Sequence, residues 1–173
     1  MVRSILKSFS VSCLILLCTV MVQTAILSNI SMLPALPDLA LICVLYFSLH
    51  NGRLLGEATG FVSGLFLDFL SASPFGLNCL FRTIIGFLGG LFHKTLNTEG
   101  ILIPALLGFL ATLLKAAMLW LISVMYPSGI MAYNPVSWMF LFELVLNSVL
   151  TPLMFKFLKL FSNLVLVKPE KMI

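Results

Sequence analysis

Long apolar segments separated by short polar breaks make up the chain, and this pattern predicts membrane-spanning helices. Proline, glycine, asparagine and charged residues mark the breaks. A helix needs about 20 mainly apolar residues to cross the hydrocarbon core of a bilayer. The predicted spans cover Phe9 to Ser28, Pro37 to Leu49, Leu55 to Leu70, Leu77 to Phe92, Ile101 to Met125 and Val136 to Leu158. We therefore expect an all-α polytopic membrane protein with six transmembrane helices, forming a single domain over residues 1–173.

Composition supports this class of protein. Hydrophobic residues make up 61% of the chain and charged residues only 9%, against about 25% charged in soluble domains. The first apolar run is longer than the roughly 7 to 15 residues of a signal-peptide core, and no small-residue cleavage site follows it, so we expect an uncleaved first span. The four cysteines lie in apolar runs without metal-ligand spacing, and we expect no metal and no cofactor.

The basic residues outside the spans all fall on one predicted side of the membrane. The loops on the opposite side, "NISMLPALP", "SASP" and "YPSGIMAYNP", contain no lysine or arginine. By the positive-inside rule, both termini are expected in the cytoplasm. The net charge of +4 therefore reflects topology and contacts with membrane lipids, and no nucleic-acid partner is expected. The residues on the basic side are Arg3, Lys7, Arg53, Lys94, Lys156, Lys159, Lys168 and Lys171.

Five charged residues lie within the spans or at their outer edge, away from the cytoplasmic ends. Counting helical rise from the outer loops places Asp38, Asp68 and Arg82 in the outer third of the membrane, and Lys115 with Glu143 deeper. An ionised side chain in the bilayer is costly, so such groups normally face the bundle interior and pair. Depth therefore predicts an outer polar cluster of the first three residues and a separate ion pair between the last two.

More ordinary roles compete with ligand binding at these positions. Asp38 follows Pro37 at a helix start, where the macrodipole favours an acid, so capping is the favoured interpretation. For Asp68 and Arg82, a structural salt bridge and a functional polar site are both left open. No nucleophile with an adjacent base, no acid pair and no phosphate-binding loop is found, so the sequence does not support an enzyme.

A glycine stripe predicts close helix packing in the third span. Gly56, Gly60 and Gly64 recur every fourth residue, which lets another backbone approach closely, and Asp68 continues the same stripe. The carboxylate is therefore expected to face protein and not lipid. We expect the third and fourth spans to form a tight hairpin, with a complementary face in the fourth made by Gly86, Gly89 and Gly90.

The segment "LPALPDLALICVLYFSLHNGRLLGEATGFVSGLFLDFLSASPFGLN" resembles the core of the MreD family, the small membrane subunit of the bacterial rod-shape machinery. The matching pieces are Pro37-Asp38-Leu39, the glycine run through Gly60 and Gly64 to Asp68, and Pro74-Phe75-Gly76-Leu77 at the outer turn. The specific match covers about Leu33 to Leu96, and length and predicted topology agree over nearly the whole chain. Pro37, Pro74 and Gly76 are accordingly expected to shape helix packing.

The resemblance implies a non-enzymatic scaffold in the bacterial inner membrane that controls cell shape and peptidoglycan synthesis. Its implied partners are MreC and, through MreC, the MreB filament, RodA and a class B penicillin-binding protein; a homodimer is left open. The resemblance also implies a fold similar to the substrate-binding S-components of energy-coupling-factor vitamin transporters. That fold supplies the alternative function, a small-molecule-binding transporter subunit with a ligand cavity at the outer cluster. A third, weaker hypothesis is a site for a lipid-linked precursor at Arg82 and Lys115.

Overall fold

The computed structural model describes residues 2–25, 35–71, 73–98, 100–125 and 137–167. Helix accounts for 84% of these residues and no strand occurs among them, which confirms the all-α class. The predicted outer loop "YPSGIMAYNP", most of the loop "NISMLPALP", and Lys168 and Lys171 lie outside the described residues. The helices are α1 Val2–Ala25, α2 Leu39–Asn51, α3 Arg53–Leu70, α4 Leu77–Leu91, α5 Leu102–Met125, α6 Trp138–Leu160 and the short α7 Ser162–Val165.

The short helix α2 forms the centre of the bundle. Every residue from Ala40 to Leu49 is buried, and α2 contacts α1, α3, α4, α5 and α6. A helix that is apolar around its whole circumference is stable only where protein or lipid surrounds it on all sides. The sequence "LALICVLYFSLHN" has this character, which explains its central position. The other helices therefore have one face against α2 and one face outward.

Helices α3 and α4 pack with their backbones in contact, as the glycine stripe predicts. A Cβ added at Gly60 would overlap the carbonyl oxygen of Arg82, and one at Gly64 would overlap the backbone of Cys79. Gly56 and Gly86 lie directly against each other. The prediction for the fourth span holds for Gly86 and for Gly90, which lies against the backbone of α3, but is wrong for Gly89, which faces the Ser48 side chain of α2.

The helix ends alternate between the two ends of the bundle. At one end, the Ser8 hydroxyl donates a hydrogen bond to the Val165 carbonyl, and the His93 ring lies against the Leu49 carbonyl. At the other end, the Gln23 side chain accepts from the backbone N–H of Ala40. Consecutive helices from α1 to α6 thus run in opposite directions.

Within the part of the chain that the structure describes, three helices are long and apolar enough to span a membrane by themselves: Ser4–Ala25 within α1, Leu102–Met125 and Trp138–Leu160. Helices α2 and α4 are apolar but shorter, with 13 and 15 residues. Helix α3 has 18 residues and contains three charged ones, Arg53, Glu57 and Asp68. The six predicted spans therefore correspond to helices α1 to α6, of which three meet the length and hydropathy that a single crossing requires.

Candidate functional site: a buried charge network

Asp38 caps the central helix, as its position after Pro37 predicts. Its Oδ1 accepts a hydrogen bond from the backbone N–H of Leu41 at 3.1 Å, and its own backbone N–H donates to Oδ1 of Asn147 at 2.9 Å. Pro37 is buried and precedes the cap, so it stands just outside the helix and not in its first turn. A capping carboxylate satisfies helix N–H groups that have no intrahelical acceptor. Asp38 therefore stabilises the start of α2 through hydrogen bonds to neutral groups, independently of its charged partners.

Arg82 of α4 reaches the same carboxylate from the glycine-lined side of the bundle. Its Nη2 lies 2.5 Å from Oδ1 of Asp38, and its Nη1 donates to Oγ of Ser63 at 2.8 Å. The Arg82 side chain is 0% exposed and that of Asp38 only 3%. Nε of Arg82 has no hydrogen-bond partner among the described residues. The pair is therefore sealed inside protein, where an uncompensated charge would be very costly.

Lys115 of α5 joins this ion pair to a second acid. Its Nζ lies 3.0 Å from Oδ2 of Asp38 and 2.7 Å from Oε1 of Glu143. The expected contact between Lys115 and Glu143 is thus present, but the division into an outer cluster and a deeper pair is wrong. The four residues form one continuous chain of alternating sign, Arg82, Asp38, Lys115 and Glu143, with no net charge. We call these four residues the charge network.

Neutral polar side chains extend the charge network across α5 and α6. Nδ2 of Asn147 donates to Oγ1 of Thr112 at 3.0 Å, while its Oδ1 holds the backbone of Asp38. Sequence reasoning missed Asn147, Thr112 and Ser63. A signal was present, because Asn147 lies four residues after Glu143 and Thr112 three before Lys115, so each shares a helix face with a charged residue.

Asp68 lies apart from the charge network, and the predicted outer cluster of Asp38, Asp68 and Arg82 is wrong in this respect. Its carboxylate caps α4, accepting from the backbone N–H groups of Gly76 at 2.9 Å, Asn78 at 3.1 Å and Cys79 at 3.3 Å. The Nδ2 group of Asn78 adds a fourth hydrogen bond at 2.7 Å. The expectation that Asp68 faces protein is therefore correct, but helix N-terminal amides replace the predicted arginine.

The turn between α3 and α4 fits this cap. Gly76 has φ +90°, a left-handed conformation that glycine adopts at little cost, and this orients its N–H towards Asp68. The carbonyl of Pro74 accepts from the N–H of Leu77 at 3.2 Å, which closes the turn, and the Pro74 side chain is exposed. Gly76 thus shapes the hairpin directly, whereas Pro74 acts through the turn and not through packing between helices.

The charge network can order five helices, because its members come from α2, α4, α5 and α6 and Ser63 adds α3. Lys115 and Glu143 are 17% and 16% exposed, so only this edge approaches the surface of the described structure. No group of three histidine, cysteine or acidic residues with metal-binding geometry occurs among the described residues. Each charged group of the network contacts a group of opposite charge. The network is therefore suited to holding helices together.

Comparison with known proteins identifies the family. The model of the family described as rod shape-determining protein MreD matches residues 2–161. Searches of curated proteins and of solved structures found no match. The family match covers the charge network, the glycine stripe and helices α1 to α6. The chain therefore belongs to the MreD family of rod shape-determining proteins.

Proposed function

We propose that the protein is a non-enzymatic scaffold of the cell-elongation machinery, which binds an MreC-like protein and thereby helps control peptidoglycan synthesis. The observation that carries this proposal is the charge network. Its buried charges pair with one another and with neighbouring side chains, so they serve the fold of this chain, and the outward faces remain for partners. RodA, the penicillin-binding protein and the MreB filament are expected to join through the MreC-like protein.

We further propose six membrane crossings with both termini in the cytoplasm of the bacterial inner membrane. The alternating helix ends support this topology, because the start of α1 and the end of α7 meet at Ser8 and Val165. Lys7, Arg53 and Lys94 belong to that same end, in accord with the positive-inside rule. The same arrangement is expected to resemble the S-components of vitamin transporters. The short helices α2 and α4 would cross where neighbouring helices cover them.

The alternative function, a small-molecule-binding transporter subunit, requires a water-accessible cavity at the intramembrane charges. Asp38 and Arg82 are almost completely enclosed by protein, and Asp68 caps a helix. A ligand would have to displace contacts that already satisfy these groups. The scaffold is therefore the better-supported proposal.

Site-specific photocrosslinking in intact cells tests the scaffold. A photoreactive amino acid replaces one outward apolar residue on each of four helices: Phe69 of α3, Leu80 of α4, Leu113 of α5 and Val149 of α6, all exposed. We expect one face to crosslink strongly to the MreC-like protein and the opposite face weakly. The same replacement at buried Ile85 is the control and should give no crosslink. Equal, weak labelling on every face would contradict direct binding through the membrane helices.

A further inference from the structure

A cavity of about 360 Å³ opens between α2, α6, α7 and the connection from α4 to α5. It lies at the basic end of the bundle, since His50 and Thr98 line it and Asn51, next to His50, binds the backbone of Val165. Sites for small ligands commonly have volumes of about 300–1,000 Å³. The cavity is therefore large enough for a group such as a lipid headgroup.

The polar lining of this cavity has one sign of charge. Lys156 and Lys159, one helical turn apart on α6, line it together with His50 and the hydroxyl of Ser162. None of the ten described residues that line it is acidic. Ammonium and hydroxyl groups are the donors that bind phosphate oxygens. The charge network, in contrast, has equal numbers of acids and bases and lies elsewhere in the bundle.

Aromatic rings form much of the remaining wall. The rings of Tyr46 and Phe155 meet edge to face with centroids 5.2 Å apart, and the His50 ring stacks on Tyr46 at 4.2 Å. Nδ1 of His50 lies 2.8 Å from the Tyr46 carbonyl, which can only accept, so Nδ1 carries a proton. In the neutral ring Nε2 then accepts from the Thr98 hydroxyl at 3.4 Å. His50 thus contacts Tyr46 and Thr98 in the cavity wall. Lys156, Lys159 and Ser162 carry the groups that can donate hydrogen bonds to a ligand.

We propose that this cavity binds the phosphate group of an anionic phospholipid, with Lys156, Lys159 and Ser162 as its donors. A cavity that combines cationic donors with aromatic and aliphatic walls at a membrane surface matches a lipid, which presents a phosphate beside its acyl chains. Basic pockets between membrane helices bind anionic headgroups in this way. The proposal does not depend on the scaffold function, because it concerns lipid and not a protein partner.

Binding to purified full-length protein in detergent tests the proposal. Phosphatidylglycerol and phosphatidylcholine are titrated separately, and binding is followed by native mass spectrometry and by the shift in Tm. We expect wild-type protein to prefer phosphatidylglycerol and the double variant Lys156→Gln with Lys159→Gln to bind it roughly 25-fold more weakly, about fivefold for each lysine near an anionic headgroup. Unchanged affinity in this variant would overturn the proposal.

A matched control separates the cavity from general charge. Lys7→Gln combined with Lys94→Gln removes two exposed lysines from the same end of the bundle but outside the cavity, and should retain wild-type affinity. Equal weakening by both double variants would mean non-specific attraction and would also overturn the proposal. Glu99 lies between two lining residues in the chain and outside the described residues. Glu99→Gln should bind at least as tightly as wild type, and weaker binding would contradict an anion site.

A titration with a soluble phosphate compound distinguishes lipid binding from binding of free phosphate compounds. Glycerol 3-phosphate has the same phosphate chemistry without acyl chains. At concentrations where phosphatidylglycerol saturates, it should leave Tm unchanged. If it raises Tm as strongly as the lipid does, the occupant is a soluble phosphate compound and the lipid assignment is wrong.

Discussion

The guanidinium of Arg82 and the carboxylate of Asp38 are in contact, with 2.5 Å between Nη2 and Oδ1, although the two residues are 44 positions apart in the chain. The contact links the glycine-lined hairpin of α3 and α4 to the start of the central helix. Since Lys115 also binds Asp38, one carboxylate connects three helices that are synthesised at different times. Loss of its charge should therefore affect the whole bundle.

Asp38→Asn tests this directly. Asparagine caps helices as well as aspartate does, so the change removes charge and leaves the cap. Arg82 then has no acidic partner among the described residues, and Lys115 keeps only Glu143. Breaking a buried ion pair costs about 3–5 kcal/mol. We expect little folded protein in size-exclusion profiles after mild heating. Glu57→Gln, an acid-to-amide change on α3 outside the charge network, is the control, and an equal profile for the two variants would contradict a stabilising network.

Exchanging the charges of Lys115 and Glu143 should not restore stability. In an isolated pair the exchange recreates an ion pair, but here Lys115 also serves Asp38. The variant Lys115→Glu with Glu143→Lys places two acids side by side at the centre of the network. We expect its Tm to lie above that of Lys115→Glu alone, which gathers three acids, but well below that of the wild type. Recovery of the wild-type Tm would show that the contact between Asp38 and Lys115 has no energetic role.

Gly60→Ala should destabilise the hairpin of α3 and α4. The added methyl group would overlap the backbone of Arg82, which cannot move without shifting its ion pair. Overpacking of this kind costs about 1–3 kcal/mol. Gly100→Ala is the matched control, because nothing lies within 4 Å of a Cβ there. Thermal unfolding in detergent compares the two variants, and equal Tm values would argue against close backbone packing.

Asp68→Ala should open the outer turn. The change leaves three backbone N–H groups at the start of α4 without their acceptor, and unsatisfied buried polar groups cost about 1–3 kcal/mol each. Asp68→Asn, which keeps one acceptor oxygen, should be less harmful. Maleimide labelling of buried Cys79, as the sole cysteine, reports the opening. We expect faster labelling in the alanine variant, and an unchanged rate would contradict the capping role.

Much of the fold follows from the sequence pattern. The length of each apolar segment, and the proline, glycine and polar residues that end it, can be read locally. The cap at Asp38 and the close approach at Gly60 are local too, and both were predictable. The partner of Asp68 was not. Depth along a helix gives a residue's level in the membrane but not its direction around the axis. Counting from the outer turn gave Asp68 and Arg82 similar levels, but the Arg82 backbone lies against Gly60, about two helical turns from Asp68. Asp68 therefore reaches the nearer amides of the turn, and Arg82 points towards α2.

Depth also failed to place Asp38 and Lys115 together. A lysine side chain spans more than one helical turn, so groups whose backbones differ in level can still meet. Neutral residues were missed for another reason. Asparagine, threonine and serine are common in membrane helices. The position of Asn147 four residues after Glu143 places it on a charged helix face but does not reveal that it binds the start of α2.

The burial of α2 on all sides has a consequence for biogenesis. It is the second helix to emerge from the ribosome, yet the α6 residues that enclose it are made about a hundred residues later. Its N-terminal carboxylate likewise lacks its cationic companions until Arg82, 44 residues later, and Lys115, 77 residues later, have been made. The native packing of α2 is therefore complete only after α6 has been made.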